Sequence, residues 1–307
     1  MECIFGIDIG GTEIKIGKFY KDELVTKIAI KTNKDRFSEE IFADIFSNID
    51  ELVKTDKLVG LAFGVPGPVK DHIYVSSKNL RWKDLNVLEI VEKRYPNIPT
   101  IILNDANAAA LGEMDRGGSK NYKSSLFITL GTGIGGGIII DNNIIEGSMG
   151  SAGEIGHIRV GFNDERLCSC GLYDCVEQYA SATGIVNTAN YLRIGKETIL
   201  NQVEVTSKNI FDYAKLGDSI AIEAVNSLVE KLSTALAAIT NTINPEVIVI
   251  GGGVSKAGSF LINRLEKRFN ELCFFAVRGT KFVEAKLGND AGIYGCNYMI
   301  RKKLYGN

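Results

Sequence analysis

"ITLGTGIGGGIIID", residues 128–141, contains a formal G-x-G-x-x-G at Gly131, Gly133 and Gly136. Its reading decides the fold. A dinucleotide fingerprint needs a helix directly after the glycines, so that the pyrophosphate meets the helix N-terminus. Here "GIIID" follows, a β-branched run that reads as a strand. The stretch therefore predicts a β-hairpin whose turn exposes backbone N–H groups, with the Thr132 hydroxyl beside Gly133 as a further donor. The pattern occurs a second time at "GIDIGGT", where Asp8 ends an apolar strand ahead of Gly10, Gly11 and Thr12. One such hairpin alone is usually only a tight turn. Two, each carrying Thr, are what two related halves would show if each opened with a phosphate-facing hairpin. No G-x-x-x-x-G-K-[ST] occurs, so the P-loop is excluded.

Outward from these hairpins the chain alternates strand and helix patterns. "CIFGIDI", "IKIGKFY" and "ELVTKIAIK" read as strands, Ser38 to Val53 as a helix, and "LVGLAF" and "TIILN" as buried strands around a helix at Leu88 to Arg94. A helix through "ANAAALGEMDR" stops at Gly117–Gly118, and the second half restarts with "SSLFITL". From Asp218 to Ile243 a helical period runs through Val225, Leu228, Val229, Leu232, Leu236, Ile239 and Ile243. Asn244–Pro245 ends it and "VIVI" follows as a strand. The class is α/β, with mixed sheets covered by helices.

Three further places can carry chemistry. Asp8 is either a turn former or, beside a phosphate loop, a holder of water-ligated Mg²⁺. Gly251, Gly252 and Gly253 lie between a strand and a helix, where they serve either close packing or a flat ligand such as an adenosine. Asn104 and Asp105 stand where the strand "TIILN" hands over to a helix: Asp there is either an N-cap or a carboxylate that takes the proton of a substrate hydroxyl. "GVPGP" at Gly64 to Pro68 is a stiff loop able to line a cleft.

Composition narrows the partners. The 307 residues are 45% apolar and carry a formal charge of −2, which leaves no basic excess for phosphate backbones, so no nucleic-acid partner is expected. No run of about 20 apolar residues exists and the N-terminus lacks signal-peptide features, so no membrane partner is expected and the location expected is cytoplasmic. Among two histidines and six cysteines, His157, Cys168, Cys170 and Cys175 fall within residues 154–175. Three thiolates and an imidazole make a full tetrahedral set for a structural Zn²⁺, with no position left for a reactive water. Cys3, Cys273 and Cys296 read as small core residues.

"DIGGT", "GVPGPV", "NDANAAALGE", "GTGIGGG", "AGEIGH", "CSCGLYDCVE" and "PEVIVIGGG" occur in this order across nearly the whole chain. Together they resemble the ROK family of sugar kinases and regulators, near its bacterial glucokinases. The resemblance implies an actin-like (RNase H-like) ATPase fold of two lobes with a cleft between them. One lobe spans 1–118 plus a returning C-terminal helix, 290–307; the other spans 119–289. It implies ATP and a hexose as ligands, phosphorylation of the 6-hydroxyl with glucose as the first choice, and a homodimer. Asp105 matches the catalytic base, and Asn104, Glu154, His157 and Glu177 match sugar-binding positions. N-acetylglucosamine, N-acetylmannosamine, fructose or allose are alternative substrates, and polyphosphate an alternative donor.

Glu177 lies two residues after Cys175 and Glu154 three before His157, so a loop folded around zinc would bring both carboxylates together. A zinc-bound His157 would keep its second ring nitrogen for a sugar hydroxyl. Three positions depart from the family pattern: Asp174 where Gly is usual, Lys70 where an acid is common, and Leu103 where some members have Glu. A sugar-responsive regulator is the alternative from another class; a first strand beginning at Cys3 leaves no room for a DNA-binding helix-turn-helix ahead of it, and Asp105 is present. A non-catalytic actin-like assembly protein would leave the zinc and sugar motifs unexplained.

Overall fold

The computed structural model describes residues 1–33, 35–70, 73–74, 76–77, 80–83 and 85–306, with Lys70, Ile73, Tyr74 and Ser76 described by backbone alone. The departure at the Lys70 side chain therefore lies outside the described residues. The chain forms two compact units. One comprises Met1–Asn121, Gly137–Gly153 and Leu287–Asn307; the other comprises Tyr122–Gly136 and Glu154–Lys286.

In the first unit, β1 (Glu2–Ile9), β2 (Glu13–Tyr20) and β3 (Glu23–Lys31) form an antiparallel meander, followed by helix α1 (Ser38–Val53) and strand β4 (Lys57–Val65). The short pairs β5 (Val69–Lys70) with β6 (Ile73–Tyr74) and β7 (Ser76–Ser77) with β8 (Trp82–Lys83) lead to α2 (Val87–Arg94), β9 (Thr100–Asn104) and α3 (Asp105–Arg116). The sheet order is β3-β2-β1-β4-β9, with β4 and β9 parallel to β1.

The period of two in β1 sets both faces. Cys3, Phe5, Ile7 and Ile9 point into the core shared with α1, where the Phe42 ring lies 5.9 Å from both Phe63 and Trp82. Gly6 points the other way, and the C-terminal helix α9 (Ala291–Tyr305) lies on β1 and β4 there. A Cβ on Gly6 would sit 2.4 Å from Ile293 O, and one on Gly60 2.7 Å from Ile300 Cγ1. Glycine is what allows this approach.

α3 packs on α9 by the same device, with a Cβ on Gly295 falling 1.7 Å from Ala108 O. Because that obstacle is backbone, Gly295→Ala is expected to cost at least the ~1–3 kcal/mol typical of overpacking. Denaturant unfolding checks this, and an unchanged midpoint would refute the close helix contact.

The second sheet contains β10 (Ser125–Leu130), β11 (Ile134–Ile140), β12 (Asn143–Ile144), β13 (Val247–Gly251) and β14 (Lys281–Glu284) in the order β12-β11-β10-β13-β14. β13 is parallel to β10 and β14 to β13. By order of appearance each sheet therefore runs third, second, first, fourth, fifth, which is the two-fold likeness expected from the two hairpins.

Helices α4 (Glu177–Ala180), α5 (Ala182–Leu192), α6 (Ser207–Lys215) and α8 (Ser259–Leu272) pack on α7 (Ser219–Ile243). Val225, Leu228, Val229, Leu232 and Leu236 form its buried stripe, while Ile239 and Ile243 are half-buried near its end. Asp218 caps its start, and Asn244 closes it in the left-handed conformation, φ 45°. Among the described residues no helix is long and apolar enough to cross a membrane.

Candidate active site

Residues 131–133 turn directly into strand β11, so the helix that a dinucleotide fingerprint requires is absent. The turn closes by a hydrogen bond from Gly131 N to Gly133 O at 2.9 Å, and the first hairpin closes by one from Gly10 N to Glu13 O at 3.0 Å. Thr12 and Thr132 are both exposed. The third cluster divides by role. A Cβ on Gly251 would lie 3.1 Å from Ala285 Cβ, a close-packed position, while Gly252 adopts φ 83° with Leu130 O 2.5 Å from a Cβ, so that glycine is demanded by the backbone. Gly253 faces open space, with nothing within 4 Å of a Cβ.

Asp8 lies at the end of β1, opposite Lys15 on β2. Lys15 Nζ stands 3.9 Å from Asp8 Oδ2, too far for a hydrogen-bonded pair, and the carboxylate accepts no hydrogen bond from the described residues. The first turn of α9 lies against it, where a Cβ on Gly292 would sit 2.5 Å from Asp8 Cγ. Burial, opposed by Lys15 and reinforced by Asp290, pushes the Asp8 carboxyl up to about 6. A carboxylate short of donors and uncomfortable with its charge fits a cation site, and hard oxygen suits Mg²⁺.

The sign of that shift makes a prediction. Since the folded value lies above the unfolded one, ionising Asp8 costs stability as pH rises from about 4 to about 6. Asp8→Asn is therefore expected to stabilise the metal-free protein by about 2–3 kcal/mol at pH 8, with the gain vanishing near pH 4. Urea unfolding at the two pH values measures it; an equal gain at both would rule out the titration as the cause.

At the junction of β9 and α3, Asn104 is the N-cap: its Oδ1 accepts from Asn107 N at 3.0 Å. Its Nδ2 donates to Gly67 O at 3.1 Å, which ties the "GVPGP" loop to the strand end. Asp105 is thus the first residue inside the helix, and its Oδ1 accepts from Ala106 N at 2.8 Å. The N-cap position belongs to Asn104, not to Asp105. Leu103 is buried within β9.

In the second unit, His157, Cys168, Cys170 and Cys175 bring their ligand atoms within 4.8 Å of one another. Cys168 Sγ lies 3.5 Å from His157 Nδ1, and Cys170 Sγ lies 3.7 Å from Cys175 Sγ. A tetrahedral Zn²⁺ with Zn–S of about 2.3 Å and Zn–N of about 2.0 Å separates its ligands by about 3.5–3.8 Å, so these distances fit. All six cysteines of the chain are free thiols. With a metal on Nδ1 the His157 proton rests on Nε2, which becomes a donor to a second partner.

Glu154 ends the segment before the short turn Ile155–His157, and Glu177 begins α4. Burial raises the Glu154 carboxyl above the ordinary range; His157 lowers it, and the nearby Glu177 raises it. The three residues therefore share one electrostatic neighbourhood in this unit, whereas Asn104 and Asp105 belong to the first unit.

The ROK family model matches residues 4–303. The chain belongs to the ROK family. Among its relatives is a glucokinase of Halalkalibacterium halodurans, 37% identical over 97% of this chain and 94% of that protein. Another is a xylose repressor of Caldicellulosiruptor bescii, 31% identical over 97% of this chain and 77% of the repressor. A ROK glucokinase of Streptomyces griseus, solved with glucose and AMPPNP, superposes with a TM-score of 0.81 at 30% identity over 98% and 99% of the two chains. The ROK fold of this chain is thus the actin-like α/β ATPase fold.

Some residues that shape this ROK protein carry weak sequence signals. Asp174, placed where the family pattern has Gly, adopts φ 59° and is fully buried. Its Oδ1 accepts from Tyr179 OH at 2.7 Å and from the backbone N–H groups of Glu165 and Arg166 at 3.2 and 3.1 Å. Burial opposes its charge, yet those bonds hold the carboxyl below the ordinary range. Asp here both tolerates the left-handed turn and braces the cysteine loop from below. Glu113, also buried, accepts from Gly118 N and Leu287 N at 2.6 and 2.8 Å and so fixes the end of α3 to the entry of α9. Lys15 was discoverable as the cross-strand partner of Asp8; Asp290, remote in sequence, was not.

Proposed function

We propose that this ROK protein is an ATP-dependent hexose kinase that phosphorylates the 6-hydroxyl, with glucose as substrate, acting in the cytoplasm as a homodimer. The observation that carries the proposal is the junction of β9 and α3. Asn104 supplies the N-cap, and the acid that follows opens the helix where the family's catalytic base is expected. The glucokinase relative at 37% identity over 97% of the chain supports the same activity.

In this mechanism Asp105 accepts the proton of the sugar hydroxyl as that oxygen attacks the γ-phosphate of ATP, the bond from the γ-phosphorus to the bridging oxygen breaks, and ADP leaves. Glu154, Glu177 and His157 Nε2 read the sugar hydroxyls, with Asn104 beside Asp105. The hairpins at Gly10, Gly11 and Thr12 and at Thr132 and Gly133 offer N–H and hydroxyl donors to the phosphates. Gly253 gives room for the nucleoside, and Gly251 and Gly252 shape its floor. Mg²⁺, held through water by Asp8, would neutralise phosphate charge when bound. Zn²⁺ on His157, Cys168, Cys170 and Cys175 would orient the imidazole and fix the loop.

An ATP-coupled assay over glucose, N-acetylglucosamine, N-acetylmannosamine, fructose and allose, with polyphosphate as alternative donor, tests the proposal. Turnover fastest with glucose and ATP is expected. The xylose repressor at 31% identity favours a second reading, a sugar-responsive regulator without turnover. Sugar binding with no phosphorylation of any hexose would establish that reading instead.

A further inference from the structure

Glu177 touches more than a sugar-binding wall. Its Oε2 accepts a hydrogen bond from Ile134 N at 2.8 Å, across 43 residues of sequence. Ile134 is the first residue after the Gly131–Gly133 turn. The fit to that turn is tight: a Cβ on Gly133 would fall 2.3 Å from Glu177 Oε2. On the turn's other side, Ala182 N donates to Gly131 O at 2.8 Å from just past α4. The His157 turn closes on the same strand start, since a Cβ on Gly156 would lie 2.4 Å from Ile134 O. The hairpin assigned to phosphate is therefore gripped by the residues assigned to the sugar, all within one unit.

We infer that Glu177 is a positioning residue that couples hexose occupancy to the shape of the phosphate hairpin: Oε2 holds Ile134 N while Oε1 accepts a sugar hydroxyl. The inference rests on the hexose kinase reading. A carboxylate with one oxygen committed to the hairpin cannot adjust to a sugar without moving the Gly131–Gly133 turn. Linkage then makes the effect reciprocal, so that disturbing the hairpin disturbs sugar affinity.

Two substitutions read the coupling from opposite ends. Gly133→Ala lies in the hairpin, and its new methyl pushes the flexible end of Glu177 rather than backbone. It is expected to weaken glucose binding, titrated calorimetrically without nucleotide, by about 10-fold, within the common range of site coupling. Glu177→Ala, titrated with AMPPNP and no sugar, is expected to weaken nucleotide binding by about the same factor. Glu177→Gln keeps an oxygen for Ile134 N, so its AMPPNP affinity should stay within about twofold of the parent while glucose affinity falls.

Zinc content and melting temperature certify that each variant is folded; if Glu177→Ala is not, the Gly133→Ala and Glu177→Gln arms decide. Glucose affinity unchanged in Gly133→Ala, or equal AMPPNP losses in the Gln and Ala variants, would overturn the coupling. A parent that binds none of the hexoses would overturn the coupling and the kinase reading together, whereas a parent that binds glucose but fails the variant arms overturns the coupling alone. A parent that binds neither ligand overturns both.

Discussion

Asp105→Asn is expected to lower the phosphorylation rate on the preferred hexose by about 10²- to 10⁴-fold, the contribution usual for a positioned general base. The loss should fall on kcat, with the hexose KM changed far less, because an amide of the same shape still touches the substrate but cannot accept its proton. Folding should survive. Asn104 keeps the cap, the new Oδ1 still accepts from Ala106 N, and removing an acid from the first helical turn costs about 0.3–1 kcal/mol. Steady-state kinetics of parent and variant, with unfolding curves for both, make the test. Turnover that persists at the parent rate would remove Asp105 from the role of base.

Removing the metal is expected to have the second large effect. The second unit has its own core around α7, so chelation should leave it folded while residues 154–175 lose their tetrahedral tie. Structural zinc sites contribute about 10–16 kcal/mol of binding to small finger domains, and a part of that should appear here as a lowered melting temperature. Without Zn²⁺, burial pushes the Cys175 thiol up to about 12, so this corner of the cluster holds its proton rather than offering a thiolate. Hexose affinity should fall at least about 10-fold, in line with lost ligand orientation. Cys168→Ser or Cys175→Ser, at two buried corners of the cluster, should reproduce the chelated state. A sample shown by metal analysis to be zinc-free, yet binding hexose as the parent does, would end the idea that the metal preorganises the sugar wall.

These predictions show where sequence was sufficient. The β-branched run after Gly137 ruled out a dinucleotide helix, and the Cys-x-Cys-Gly-x₃-Cys spacing with His157 picked out the four side chains that the structure brings within 4.8 Å of one another, because both signals are local. α1 runs over Ser38–Val53 as its period requires, and Asn244–Pro245 stops α7. The exchange of capping duty between Asn104 and Asp105 was not legible, since both residue types cap helices and only the backbone conformation at the strand end selects one. The three glycines at 251–253 were equivalent as letters; their surroundings separate two packing positions from one open one.

By itself the sequence determined the strand–helix order around the two hairpins, the α/β class and the four residues able to hold a metal in the cysteine loop, all encoded in periodicity and spacing along the chain. Tertiary structure alone decided that the Glu177 carboxylate grips Ile134, that Asp174 braces the cysteine loop through Tyr179, and that Glu113 ties α3 to the approach of α9. The physical reason is that a carboxylate drawn out of water is stabilised by whatever donors the packed chain presents to it. Those donors are set by the crossing of distant segments, which no short-range pattern records.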